Sequence, residues 1–147
     1  MKPLKELINN EESGWELIKE WMKEAKNEIE ILKKNSTHAD SALYRTQVTT
    51  RSPMGAIIYE TGGILVDNGW IRILGSSSDK LKRSLPEWNR GKTFEEYGQV
   101  MSFLLIADDA IGGFFALNGG EFGNQNLGKI YYFSPANLEW EPLEIGY

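Results

Sequence analysis

The sequence predicts an α+β fold: an antiparallel β-sheet meander of about six strands, with a long N-terminal amphipathic helix packed on one face. Three observations carry this. Residues 103–120 run as five apolar residues (Phe103-Leu104-Leu105-Ile106-Ala107), a turn holding Asp108-Asp109 and Gly112-Gly113, and a return strand Phe114-Phe115-Ala116-Leu117 closed by Asn118-Gly119-Gly120. Five apolar residues are short for a helix and suit a strand covered on both faces. Asp67-Asn68-Gly69 is a hairpin signal, because Asn-Gly accepts left-handed turn geometry. Trp15, Ile18, Met22, Ala25, Ile29 and Leu32 recur at 3,4 spacing, which is one apolar stripe on a single helix.

The 147 residues have the size of a single domain. Residues 1–38 form a helical part, and 42–145 a sheet part with short helices in 79–101. Residues 3–9 suit a short helix, with Pro3 in its first turn and Leu4, Leu7 and Ile8 on one side. Ser13-Gly14-Trp15-Glu16 reads as a capping box opening the long helix, which Lys33-Lys34 close. Residues 35–41 read as linker, and His38, the single histidine, as a solvated side chain. Leu43 to Thr50 is rich in β-branched residues and reads as a strand, as do Ala56 to Glu60, Ile64 to Val66 and Trp70 to Leu74. Residues 76–92 are a basic loop or short helix, and Thr93 to Met101 one or two helical turns. Lys129 to Ser134 is a further strand, and Leu138 to Leu143 ends the chain extended. Trp15, Trp21, Trp70 and Trp140 are expected to fill a core.

Charge and composition exclude several function classes. There is no cysteine, so disulfides, thiolate zinc sites and cysteine nucleophiles are absent. No apolar run suggests a signal peptide or a membrane span, so the expectation is a cytoplasmic protein without membrane contact. The net charge is −5, and residues 108–147 hold six acids against one base, Lys129. That balance argues against nucleic acid and favours a basic protein partner. Gly91-Lys92-Thr93 mimics the end of a phosphate-binding loop, but Pro86 stands where that motif needs glycine. Asp108, Asp109 and Glu121 are the one all-oxygen set for a divalent cation, and turn-forming aspartates explain them better, so no metal and no cofactor is expected. Neighbouring strand residues point to opposite faces, which makes Asp108 and Asp109 a poor acid/base pair.

Long runs also resemble a known family. Arg45 to Ala56, Glu60 to Arg72, Leu85-Pro86-Glu87-Trp88-Asn89 and Ala107-Asp108-Asp109 to Gly113-Phe114-Phe115 closely resemble a bacterial family catalogued only as a domain of unknown function. The Ala-Asp-Asp strand end, the Gly-Gly-aromatic return and Gly128-Lys129-Ile130-Tyr131-Tyr132 are in turn similar to the SUKH superfamily, which implies a SUKH-like α+β fold. Many bacterial members of that superfamily are immunity proteins that neutralise toxins, and others are regulatory scaffolds. The expected function is therefore a non-catalytic protein-binding module, immunity-like or regulatory. Asp108, Asp109, Glu121, Arg45, Arg51, Arg72 and Trp88 are its candidate binding residues. The alternative is a small-molecule or anion-binding domain built from Arg45, Arg51, Arg72 and the basic 80–92 loop. A third reading is an acid/base enzyme using Asp108 or Asp109. Open strand edges also suit a homodimer.

Overall fold

In a computed structural model describing residues 1–147, seven strands form one antiparallel sheet in chain order. They are β1 (Ile29–Ile31), β2 (Gly63–Val66), β3 (Ile71–Leu74), β4 (Phe103–Asp109), β5 (Phe114–Asn118), β6 (Lys129–Ser134) and β7 (Glu139–Gly146). The helices are α1 (Leu4–Leu7), α2 (Trp15–Glu24), α3 (Ser36–Thr46), α4 (Pro53–Glu60) and α5 (Leu85–Asn89). The α+β class and the meander agree with the sequence reading, with β1 as a strand it missed. No helix is long and apolar enough to cross a membrane.

Turn chemistry fixes the register of the hairpins. Asn68 and Gly69 both take positive φ between β2 and β3, as that dipeptide predicts. Between β4 and β5 the turn is held by Asp109. Its Oδ1 accepts from Ile111 N at 3.1 Å and Gly113 N at 2.7 Å, and its Oδ2 accepts from the Tyr132 hydroxyl. A Cβ on residue 113 would overlap that same hydroxyl, so only glycine fits.

Five local expectations are overturned. The long helix over Trp15–Leu32 stops at Glu24, and Ile29-Glu30-Ile31 pairs with β2 instead. The cause is not local. The Asp67 carboxylate accepts from Asn27 Nδ2 at 2.9 Å and Glu28 N at 3.1 Å, which draws that segment onto the sheet. The capping box at its start does not form, because Gly14 is the N-cap and Ser13 Oγ accepts only from Trp15 N. Residues 36–46, expected as linker and strand, are helix. Asn35 caps it by accepting from His38 N at 3.0 Å, and Ala39, Ala42, Leu43 and Thr46 bury one face. Residues 53–60 are helix as well, with Ser52 as cap, Pro53 in the first turn and Ile57 and Ile58 buried. Burial there outweighs the β-preference of isoleucine. Finally, residues 93–101 make turns rather than a helix, held by Gln99 Oε1 accepting from the Glu95 and Glu96 amides.

Two apolar clusters hold the layers together. Leu7, Leu43, Ile58 and Leu85 from four helices pack with Leu104, Ala107 and Ile130 of the sheet. Ile18 of α2 and Ala56 and Ile57 of α4 pack on Ile64 of β2. Trp21 and Trp70, expected in the core, are exposed.

One buried polar side chain joins α5 to the sheet. β3 pairs only with residues 107–109 of β4, so Leu105, paired with Ala116 of β5 on one side, has no strand on the other. Asn89, fully buried at the end of α5, stands in for one. Its Nδ2 donates to Leu105 O at 2.8 Å, and its Oδ1 accepts from Leu105 N at 2.8 Å. Nδ2 also donates to Leu85 O, and Oδ1 accepts from Thr93 Oγ1 at 3.0 Å. This clamps α5, and with it Trp88, against β4.

Candidate functional site

Directly opposed residues on neighbouring strands share a face of the sheet. Following the register across gives Glu30, Leu65, Arg72, Asp108, Phe114, Phe133 and Trp140 as one row, a residue from each of the seven strands. The adjacent row, Ile64, Ile73, Ala107 and Phe115, faces the core. The first row ends in an open groove of about 480 Å3. Its floor is Phe114, Phe133 and Trp140 with Phe103 and Leu105, and its wall is Trp88 of α5 with Arg83 and Lys92.

The aromatic rings form a continuous chain. Trp88 to Phe114 is 5.7 Å between centroids, Phe114 to Phe133 6.1 Å and Phe133 to Trp140 5.2 Å. Phe122, from the 119–128 loop, lies 4.9 Å from Trp140 and 4.5 Å from Tyr131. Asn118 braces that loop, donating to Gly123 O and Asn126 O and accepting from Gly120 N and Phe122 N.

Polar residues close the other end. Asp108 is buried, and both of its oxygens are taken: Oδ1 accepts from Arg72 Nε at 2.8 Å and Oδ2 from Arg83 Nη2 at 2.6 Å. Arg72 also donates to Asp109 O at 2.8 Å. The Arg83 guanidinium lies 4.5 Å over the Trp88 ring, and Lys92 donates to Trp88 O at 2.8 Å. Two guanidinium groups thus pair with one carboxylate and Lys92 stands on the same wall without an ion pair, leaving this end of the groove net positive. A buried pair of this kind fixes geometry more than it adds stability.

The predicted binding residues separate into three groups. Arg72, Asp108 and Trp88 come together at the groove. Asp109 lies on the turn behind it. Burial pushes its carboxyl up, but the Tyr132 hydroxyl, the Gly113 and Ile111 amides and Arg72 outweigh that and hold it below its ordinary value. Its partner Tyr132 is pushed up to about 12, first by that hydrogen bond and then by burial. Arg45, Arg51 and Glu121 lie elsewhere. Arg45 pairs with Glu87 at 3.5 Å and stacks on Tyr97, Arg51 pairs with Glu12 at 3.0 Å on the surface, and Glu121 accepts from Ser102 at 2.8 Å. The three arginines do not converge. Asp108 and Asp109 share Arg72, Glu121 is held by Ser102, and the three carboxylates form no common ligand set. Sequence reasoning named Arg83 only as part of the basic 80–92 loop, and it missed Phe114, Phe133 and Trp140 as site residues. The signal that finds them is cross-strand register, not any local motif.

Fold and site together define an α+β protein with a seven-stranded antiparallel meander and a cation-ended aromatic groove on one sheet face. The family described as "Protein of unknown function DUF2625" matches residues 4–147, and the chain belongs to it. The chain is 50% identical over 147 residues to an uncharacterised protein of Haemophilus influenzae and 46% identical to YbfG, an uncharacterised protein of Escherichia coli. All of this chain is matched in both cases, but only 64% and 66% of those relatives, so it spans about two thirds of their length.

Proposed function

We propose that this chain is a non-catalytic protein-binding module and that the groove is where its partner docks. The observation that supports this most is the unbroken aromatic row from Trp88 to Trp140, lying uncovered beside guanidinium groups already held in place by Asp108. Rigid aromatic rings and arginine are the side chains on which binding energy concentrates. The occupant that fits is a partner segment carrying an apolar side chain for the floor and a carboxylate for Arg83 and Lys92. An acid/base role for the aspartates has weaker support. Asp108 has both oxygens engaged by cations, and both oxygens of Asp109 are engaged by its turn and by Tyr132, so neither offers a free oxygen to a substrate.

A second observation favours one particular form of such a module. Glu139, Glu141 and Glu144 lie exposed on the edge strand β7, where they complement a basic partner. This suits the SUKH-like immunity role, with a toxin as the partner. Co-expression with toxins encoded near the gene tests that form, and rescue of growth supports it.

The groove itself is tested by placing a photo-crosslinking amino acid at position 133 and, as control, at position 23 on α2. A single defined protein adduct at 133 that disappears with Arg83→Ala supports the proposal. Equal labelling from both positions refutes it.

A further inference from the structure

A cavity larger than the groove lies elsewhere on the molecule. It is a cleft of about 860 Å3 between the start of α3, the strand β1 and the loop over residues 76–84. Ligand pockets of this size are usually lined mostly by apolar groups. Here only 3 of 17 lining residues are hydrophobic, so the cleft fits a polar occupant.

Charge narrows that occupant further. Four lysines line the cleft: Lys33, Lys34, Lys80 and Lys82. Lys80 is held by Glu30 at 2.6 Å, and Glu87 is held by Arg45 from outside. Lys33, Lys34 and Lys82 make no ion pair, and Asp79 is the one lining carboxylate without a cation. The chain as a whole carries −5, so this local cationic excess runs against the global balance.

Hydrogen-bonding groups are set beside these charges. Ser77 Oγ and His38 Nδ1 are 3.0 Å apart, which fixes the imidazole and leaves its Nε2 without a protein partner. Ser77 is held at a φ of 86°, uncommon for a residue with a side chain. Gly62 packs so closely beneath it that a Cβ there would come within 2.5 Å of Ser77 O, so the loop has little room to relax. Asn35 and His38, the cap and first turn of the eleven-residue α3, also line the cleft and bring the positive end of the helix dipole to it.

We propose that this cleft binds a small phosphorylated molecule that also carries hydroxyl groups. The phosphate meets Lys33 and Lys82, and the hydroxyls meet His38, Ser77 and Ser41. This site is independent of the groove and of the protein-binding reading.

Calorimetric titration of the whole chain tests it, with glucose 6-phosphate, inorganic phosphate and glucose as probes. Saturable binding is expected for the sugar phosphate, tighter than for inorganic phosphate, with none for glucose. The double variant Lys33→Ala/Lys82→Ala should weaken it by about tenfold or more. His38→Gln should weaken it too. Lys23→Ala/Lys26→Ala on the exposed surface and Trp140→Ala in the groove should leave it unchanged. Absence of saturable binding up to about 10 mM, or an equal loss in the Lys23/Lys26 control, overturns the site. Equal affinity for inorganic phosphate and the sugar phosphate overturns the hydroxyl-bearing part.

Discussion

Replacing Asn89 by alanine removes the side chain that joins α5 to the sheet. Four hydrogen bonds disappear, and the buried Leu105 N–H and C=O are left with no partner. Each orphaned buried group costs about 1–3 kcal/mol. Those two groups and the small void left behind bring the loss to roughly 3–5 kcal/mol. That is a large part of the ~5–15 kcal/mol that holds a typical domain together. At this chain length it corresponds to a fall in Tm on the order of 10 °C. Asn89→Asp should be similarly harmful, since a carboxylate cannot donate to the Leu105 and Leu85 carbonyls. Urea titrations followed in parallel by far-UV circular dichroism and tryptophan fluorescence measure the loss. Trp88 adjoins Asn89, so the fluorescence of the folded variant should change as well. A loss below about 1 kcal/mol would show that α5 is anchored by something else, and that the position of Trp88 does not depend on this contact.

Three further outcomes rest on neighbouring contacts. Asp108→Ala strands the Arg72 and Arg83 guanidinia and should cost about 3 kcal/mol or more in chemical denaturation, whereas Arg51→Ala, which breaks an exposed pair, should cost no more than about 0.5 kcal/mol. Asp109 has a lowered folded-state value, so its contribution is present above its ordinary value of 3.8 and is lost as pH falls through the lowered one. Tyr132 is raised from 10.0 to about 12, so its contribution is present below pH 10 and lost as pH rises through about 12. Acid and alkaline denaturation profiles of wild type and Asp109→Ala read both limbs, and the variant should lose them together. Tyr147 has a buried hydroxyl with no partner, and burial pushes its pKa up. Tyr147→Phe should therefore leave the Tm unchanged or raise it, by about 1 kcal/mol of added stability, as calorimetry would detect.

The sheet was legible in the sequence because its hairpins are set by neighbouring residues. Asn68-Gly69 and Asp109 to Gly113 each carry their own turn geometry. The helices α3 and α4 were not legible, for two different reasons. Thr46, Val48 and Thr49 favour a strand locally, while α3 is held by small buried alanines and a cap at Asn35. In α4 the isoleucines have a strand preference that only burial overrides. β1 was hidden because Ile29-Glu30-Ile31 satisfies both periods, and the Asp67 contact that decides between them lies about 40 residues away. At the site, Arg72, Asp108 and Trp88 stood out as polar or aromatic residues near turns. Arg83, Phe133 and Trp140 join them through strand register and a long loop, and no short window contains that information.

The central claim is that the aromatic groove is the docking surface. Its most direct test is the affinity of Trp140→Ala and Trp70→Ala for the protein crosslinked at position 133. Trp70 is exposed but lies outside the groove. Docking in the groove predicts a loss of about 2 kcal/mol, roughly thirtyfold in Kd, for Trp140→Ala and no change for Trp70→Ala. Equal affinities for the two variants would contradict it, as would an adduct that proves to be a second copy of this chain.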